Sequence, residues 1–459
     1  MAIEAAFMVP HPPLAVHEVG VGREKEIQKT INAYLEVARE ISNIQPDTII
    51  ISSPHTIMYS DYFHLSSAEV VRGDFSNFGA GNVSFEESVD LELIQKIGEI
   101  AMESSFPTGP LADKQALDHG SMVPLYFIRK YYQNFKVVIV GLSGLSFSKH
   151  YEIGQIIKQA VEELDRKVVY VASGDLSHKL QTYGPYGFVK EGPIYDERIM
   201  DIMGKADFLK LLEFDSVIRQ RASECGHRSF IMMAGALDGM DLKVERLSHE
   251  DITGVGYGIC TYYPVGSDYH RFFLNEYLEN IKNDIAFHQE DEYILLARKT
   301  IEEYLTTGEV ISVSRDLPSE MLENQAGVFV SIHEEDNLRG CIGTILPVTD
   351  CIAEEIIRNA ISAATEDPRF SPIEKEELPY LEISVDVLKA PEDISSIDEL
   401  DVKKYGVIVS SGVKRGLLLP NLEEIDTVEE QVRIAKRKGN ITEDEEIALQ
   451  RFEVVRHEV

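Results

Sequence analysis

Several short motifs place histidines and carboxylates directly after apolar runs of the chain. The first run ends in PHPP and the second in SSPHT, which supply His11 and His55. Another run ends in SGDLSH, which supplies Asp175 and His178. Imidazole and carboxylate groups bind metal ions and transfer protons near neutral pH. If these runs are neighbouring strands, their ends meet at one edge of a sheet, so the sequence predicts one shared site.

Two further motifs add candidate groups to this site. DHGSMVPL carries Asp118 and His119, and the helix-like segment RASECGHRSFIMMAGAL carries Glu224 followed at once by Cys225. Two histidines and one carboxylate are the ligands of many non-haem iron(II) oxygenases, because three protein ligands leave positions for substrate and dioxygen. The chain contains 13 histidines, so spacing alone does not select the ligands.

The elements that would position these residues alternate over about the first 265 residues. Apolar runs of strand length are predicted at Ile3–Val9, Thr48–Ser52, Lys136–Gly141, Lys167–Ala172, Lys243–Leu247 and Gly256–Tyr263. Amphipathic segments with helical spacing are predicted at Glu24–Ser42, Glu86–Ser104 and Tyr151–Leu164. Strands separated by helices of this length predict an α/β domain over residues 1–270, with a mostly parallel central sheet and flanking helices.

The pattern changes in the second part of the chain. Residues 266–290 predict a connecting helix, and a second domain is predicted over residues 285–459. Its elements are a helix at Tyr293–Leu305, a hairpin in GVFVSIHEEDNLRGCIGTI with its turn at Glu334–Asn337, a helix at Asp350–Ala364, a strand in YLEISVDVL and a helix at Val428–Lys438. This order predicts an α+β fold.

Composition excludes several classes of partner and compartment. The formal net charge of −34 opposes binding to nucleic acid and to anionic membranes. No run of about 18 apolar residues or secretory leader is seen, and the four cysteines form no disulfide or zinc pattern. We therefore expect a cytoplasmic protein that acts on a small molecule. The sequence leaves open whether it forms a homo-oligomer.

The first domain resembles the class III extradiol ring-cleaving dioxygenases, of the catalytic B-subunit type, and the related Memo-like proteins. The resemblance covers residues 1–265 and rests on PHPP, SSPHT, DHGSMVPL, SGDLSH and ECGHRSF followed by GAL. It implies that His11, His55 and Glu224 bind iron(II), and that the substrate is a catecholic or phenolic small molecule oxidised by dioxygen. Aromatic compound metabolism is the implied context.

The resemblance also implies roles for the remaining histidines. His178 would take the phenolic proton and return one later, since an imidazole with a pKa of about 6.5 can do both. His119 would hydrogen-bond the substrate or oxygen, with Asp118 or Asp175 orienting an imidazole ring. For Asp175 itself, a helix cap or a turn after Gly174 is the favoured explanation.

The third metal ligand is open between Glu224 and Cys225. Memo-like proteins use a cysteine where the dioxygenases use a carboxylate. Because neighbouring residues on a helix point about 100° apart, we expect only one of the two to bind. We favour Glu224, because oxygen ligands suit ferrous iron and thiolate suits zinc-like sites. Zinc is the alternative metal, and a Cys225 outside the site would be a small buried apolar residue.

The second domain carries LRGCIGT, with Arg339 and Cys341, and TEDPRFSP, with Arg369. Over residues 290–459 it resembles the AMMECR-type domain. The resemblance implies a fold and a functional surface around these three residues, without a defined reaction. The glycines beside Cys341 either admit a ligand or permit tight packing, and both explanations remain open.

The fusion of both domains resembles proteins of the AmmeMemoRadiSam system, which implies a radical S-adenosylmethionine protein as partner. This chain has no CxxxCxxC motif of its own. Three functions follow for the metal site. They are an iron(II) dioxygenase-like enzyme, which we favour; a metal-binding or scaffold protein without ring cleavage; and a zinc hydrolase with a bound water.

Overall fold

The protein is described by a computed structural model that covers residues 3–110, 116–335, 337–422, 425–442 and 444–458. The chain divides into two compact units, Met1–Asn280 and Ile281–Val459. None of the helices within the described ranges is both long enough and apolar enough to cross a membrane.

The first unit alternates strands and helices. Its described strands are β1 Ile3–Val9, β2 Thr48–Ser53, β3 Phe63–His64, β4 Val70–Phe75, β5 Ala80–Ser88, β6 Thr108–Gly109, β7 Lys136–Gly141, β8 Val168–Ser173, β9 Met240–Glu250 and β10 Tyr257–Ser267. Its described helices are α1 His17–Gly20, α2 Gln28–Ile44, α3 Leu91–Glu103, α4 His119–Ile128, α5 Phe147–Glu163, α6 Glu191–Lys205, α7 Phe208–Leu212, α8 Ser216–Ala222 and α9 His227–Ala236. Helix α10, Phe273–Phe287, contains the boundary between the units.

A mixed six-stranded sheet forms the centre of the first unit, in the order β7-β2-β8-β1-β10-β9. The first four strands are parallel, whereas β10 and β9 are antiparallel to their neighbours. Helices α2 and α4 pack together on this sheet, and so do α5 and α9. The run Ile49–Ile51 in β2 is fully buried because helices cover both faces of the parallel part.

The carboxyl ends of β1, β2 and β8 lie side by side. In the register of these strands Val9 pairs with Ser173, and Ser52 pairs with Ala172. Strand β8 is followed by Gly174, where a Cβ atom would overlap the backbone of Gly226. The absence of a side chain at Gly174 therefore lets the loop before α9 reach the end of this strand.

Two segments differ from the sequence prediction. The helix predicted from Glu86 begins only at Leu91, because Ala80–Ser88 pairs with β4 as a hairpin and the Asp90 carboxylate caps α3 by accepting the Leu93 N–H. The single helix-like segment around Cys225 is interrupted after α8. Ser223 there has a left-handed backbone (φ 53°), so Glu224 and Cys225 lie in a loop before α9.

The second unit has α+β architecture. Its described strands are β11 Gly327–Glu334, β12 Asn337–Gly343, β13 Leu381–Leu388, β14 Glu392–Ile394, β15 Gly406–Ser411, β16 Lys414–Leu418, β17 Ala448–Phe452 and β18 Val454–His457. Its described helices are α11 Glu292–Thr307, α12 Ser319–Glu323, α13 Ile352–Thr365 and α14 Val428–Lys438. One sheet has the order β12-β11-β13-β18 and includes the hairpin predicted from the sequence; the other has the order β14-β17-β15-β16.

We predict that Gly174→Ala destabilises the first unit by about 1–3 kcal/mol, because the new methyl group would overlap the Gly226 backbone. Thermal unfolding followed by circular dichroism measures the loss. The matched control is Gly98→Ala in α3, where an added Cβ meets no atom within 4 Å. Gly98→Ala should leave the free energy of unfolding unchanged or raise it by up to about 1 kcal/mol. Equal stability of Gly174→Ala and wild type would contradict the close approach.

Candidate metal centre

Two histidine rings face each other at the ends of the parallel strands. His11 follows β1 and is 1% exposed, whereas His55 follows β2 and is open to solvent. Their Nε2 atoms lie 2.9 Å apart. Both nitrogens therefore point into one small volume, as expected from the positions of PHPP and SSPHT.

The orientation of the His11 ring is set by its other nitrogen. His11 Nδ1 lies 2.9 Å from the hydroxyl oxygen of Ser173, and that hydroxyl donates its proton to the Gly120 carbonyl at 2.6 Å. A serine hydroxyl has one proton to donate, so it accepts a hydrogen bond from His11 Nδ1–H. His11 Nε2 therefore carries the lone pair, as in a histidine that binds a metal ion.

Cys225 completes a group of three donors. Its Sγ atom lies 3.5 Å from His11 Nε2 and accepts a hydrogen bond from the Asp175 N–H at 3.3 Å. The donor atoms of His11, His55 and Cys225 all lie within 4.8 Å of one another. Two imidazoles and a thiol therefore surround one position.

Glu224, which we favoured from the sequence as the third ligand, does not join this group. Its Oε2 accepts the His227 N–H at 2.7 Å at the start of α9, and its Oε1 lies 3.8 Å from Arg219 Nη1. A carboxylate at a helix N-terminus is stabilised by the helix dipole. Among the described residues, the structure brings the alternative residue, Cys225, to the two histidines.

Asp175 and His178 form a second group of donors with Cys225, and Asp175 Oδ2 also lies 3.8 Å from His11 Nε2. Donor atoms of these three residues also lie within 4.8 Å of one another. The sequence favoured a helix cap or local turn for Asp175, but its Oδ1 accepts the His11 N–H across the sheet at 2.8 Å. Asp196 accepts the Ser177 N–H at 2.9 Å and so holds the loop that carries Asp175 and His178. His178 therefore faces the same centre.

His119 is the first residue of α4, and its ring stacks on His55 with 4.1 Å between the ring centroids. Asp118 caps this helix by accepting the Ser121 N–H, and it also accepts the Ser53 hydroxyl at 2.7 Å. The role expected for Asp118, orienting an imidazole ring, is thus replaced by a cap that holds α4 against β2.

Burial controls the protonation of the centre. It lowers the pKa of His11 well below its usual value and lowers the pKa values of His119 and His178 to about 4. Burial raises the pKa of Asp175 to about 7, and it raises that of the Cys225 thiol well above the usual range. The imidazoles are therefore neutral near pH 7, which is the form that binds cations.

Three contributors to the centre were not predicted. Ser173 orients His11, and its signal was its place at the start of SGDLSH, immediately after an apolar run. Tyr186, which is 60% exposed, stacks on His178, and Phe78, which is 38% exposed, contacts His119. No spacing rule connects these aromatic residues to the histidines.

In the second unit, Cys341 and Arg369 lie together. The Cys341 N–H donates to Asp367 Oδ2 at 2.9 Å, and its carbonyl accepts a hydrogen bond from Arg369 Nη2 at 3.2 Å. Ser331 donates to the Cys341 sulfur at 3.2 Å. Arg339 instead pairs with Glu377.

The glycines of LRGCIGT are explained by packing. A Cβ atom at Gly340 would overlap the Ala363 carbonyl of α13, and one at Gly343 would overlap the Phe329 ring. Of the two explanations left open by the sequence, the contacts support tight packing. The carboxylate of Asp367, rather than a glycine, holds the Cys341 backbone in place.

We predict that Asp367→Asn lowers the free energy of unfolding of the second unit by about 2 kcal/mol at neutral pH. The hydrogen bond from Arg369 lowers the pKa of Asp367 to about 2, against about 3.9 in an unfolded chain. This stabilisation is present above about pH 4 and is lost as the pH falls through about 2, so the difference should close there. Urea unfolding at several pH values measures it. The control is Asp426→Asn, at an exposed carboxylate. A stability difference between Asp367→Asn and wild type that does not change with pH would contradict a stabilising role of the charged Asp367.

Comparison with known proteins identifies both parts of the chain. The family model described as the catalytic LigB subunit of aromatic ring-opening dioxygenase matches residues 5–260, and the AMMECR1 model matches residues 294–457. A protein of Clostridium acetobutylicum is 42% identical over 466 residues, which cover 100% of this chain and 99% of that protein.

A protein of Thermotoga maritima is 49% identical over 170 residues, 37% of this chain and 98% of its own length. The crystal structure of an uncharacterized protein from Pyrococcus horikoshii matches 36% of this chain and 88% of its own, with 34% identity and a TM-score of 0.34. The chain therefore belongs to the family of the catalytic LigB subunit of aromatic ring-opening dioxygenase, and it carries an AMMECR1 domain after that part.

Proposed function

We propose that the first unit binds iron(II) through His11, His55 and Cys225 and oxidises a catecholic or phenolic small molecule with dioxygen. The observation that carries the proposal is the convergence of these three donor atoms within 4.8 Å of one another. Membership of a dioxygenase subunit family supports the same chemistry. The proposal keeps the reaction class expected from the sequence and changes the third ligand from Glu224 to Cys225.

The donor set fits a transition metal ion. His11 Nε2 carries a lone pair that Ser173 holds in place, and the partly buried Cys225 thiol would lose its proton on binding a cation. Two neutral imidazoles and one thiolate would supply three ligands, and the thiolate would offset one of the two positive charges of a divalent ion. His55 is exposed, so exogenous molecules could reach the ion on that side.

Bound ferrous iron would bring a phenolate and dioxygen together on one ion and pass electrons between them. The chain's own groups would handle the protons. His178, neutral and beside the Cys225 sulfur, is our choice to accept the substrate's hydroxyl proton. His119, stacked on His55, would hydrogen-bond the substrate, and the exposed rings of Tyr186 and Phe78 offer faces for an aromatic ring.

A second function is metal binding without ring cleavage. The observation that favours it is the thiol of Cys225 in the place where the ring-cleaving enzymes are expected to have a carboxylate. Thiolate ligands suit softer or zinc-like ions better than ferrous iron. The two functions differ in whether substrate and oxygen are consumed, so activity measurements separate them.

We predict that Cys225→Ala lowers the affinity for the first equivalent of iron(II) at least about 10-fold, because it removes a ligand. Glu224→Gln should keep the metal, since an amide oxygen can still accept the His227 N–H. Anaerobic purification, loading with one equivalent and elemental analysis measure both. Loss of metal in Glu224→Gln with retention in Cys225→Ala would return Glu224 to the site.

We predict that His178→Ala, loaded with one equivalent of iron(II), keeps its metal but consumes oxygen about 10²–10⁴ times more slowly, because the general base is lost. Oxygen uptake on a panel of catechols measures the rate. The control is His270→Ala, at an exposed histidine outside both donor groups. Wild type that holds iron but shows no uptake on any catechol would favour the second function, and loss of iron in His178→Ala would contradict the role of His178.

A further inference from the structure

The Cys225 sulfur belongs to two donor groups. One is the group with His11 and His55, and the other contains Asp175 and His178. In each group the donor atoms lie within 4.8 Å of one another. The two groups therefore have the Cys225 sulfur in common and lie against each other, with Asp175 Oδ2 3.8 Å from His11 Nε2.

The second group is held in place by its backbone, which leaves the His178 ring available. The His178 N–H donates to the Ala222 carbonyl at 3.1 Å, and the Asp175 carbonyl accepts the Gly226 N–H at 3.1 Å. The His178 ring is half-buried and stacks on Tyr186. Within the described part of the chain, neither nitrogen of this ring has a hydrogen-bond partner. A half-buried imidazole without polar partners is suited to bind a cation.

The local charges also favour a second cation. Besides burial, the negative charges of Asp175 and Glu224 raise the pKa of the Cys225 thiol. The negative charge of Asp196 raises the pKa of Asp175 in the same way. Arg219 offsets part of this charge on the Glu224 side. With a first divalent ion bound, the thiolate and the Asp175 carboxylate would still provide two negative ligands around the second position.

We propose that Asp175, His178 and Cys225 form a second site for a divalent transition metal ion, which shares the Cys225 thiolate with the first site. Carboxylate, imidazole and thiolate are the three ligand types of protein zinc sites, so zinc(II) is the ion that fits this set best. The inference rests on the proposed function, because Cys225 must also bind the first ion. It adds a second ion, which nothing in the resemblance implies.

The second ion would change the chemistry of the first. With one ion bound, the His178 lone pair can accept a proton from a substrate. With two ions bound, that lone pair is used for metal binding and the base is no longer available. Excess metal would therefore switch off turnover while the first ion stays in place.

Zinc(II) binding by the full-length protein tests the proposal, with equilibrium dialysis under anaerobic conditions followed by elemental analysis. Wild type should bind two zinc ions per chain with unequal affinities. Asp175→Asn and His178→Ala should each keep one ion and weaken the other at least about 10-fold. Cys225→Ala should weaken both, and the control His270→Ala should keep both. Far-ultraviolet circular dichroism checks that each variant is folded, and the two substitutions in the second group provide independent tests.

The outcomes separate the two proposals. A single zinc ion in wild type that is lost in Cys225→Ala would overturn the second site and leave the first intact. Two ions with unchanged affinities in both Asp175→Asn and His178→Ala would also overturn it. Wild type that binds no zinc would contradict both sites. Loss of one ion in both second-group variants, with the other retained, would support the second site.

Discussion

The close approach of two glycine backbones, Gly174 after β8 and Gly226 before α9, is the constraint on which the candidate metal centre depends. Neither position has room for a side chain: a Cβ at Gly174 would overlap Gly226, and a Cβ at Gly226 would overlap the Phe230 ring. The approach lets the Asp175 N–H reach the Cys225 sulfur, and that sulfur then lies beside His11. Packing therefore positions the third donor before any ion is present, which reduces the cost of assembling the site.

The fold was predictable from the sequence where strands are buried on both faces. Ile3–Val9 and Lys136–Gly141 have the predicted bounds, and all but one residue in each is buried. The antiparallel strands β9 and β10 extend beyond the predicted ranges, since backbone pairing continues through residues such as Asp241 that face solvent. The hairpin of β4 and β5 and the sheet of β14 to β17 were not predicted. Their strands are short or partly exposed, so they contain few of the apolar residues from which a strand is predicted.

The residues of the candidate metal centre were likewise predictable only where a local sequence pattern places them. Placement of His11 and His55 followed from the rule that parallel strands end at a common edge, and their rings meet there. The choice between Glu224 and Cys225 depended on one backbone angle, because the left-handed Ser223 ends α8 and turns Glu224 to the start of α9. A periodic apolar pattern does not reveal that break. Hydrogen bonds such as that between His11 and Ser173 are similarly invisible in a sequence, as they join residues 162 positions apart.

The separation of the donors along the chain has a consequence for biosynthesis. His11 and Cys225 are 214 residues apart, and the sulfur reaches its position only when β8 and α9 have packed. A ribosome-bound chain that has exposed both histidines still lacks the third donor, so the three donors converge only when the α/β unit is complete. Under the proposed function, an ion that binds after this packing would raise the free energy of unfolding by mass action.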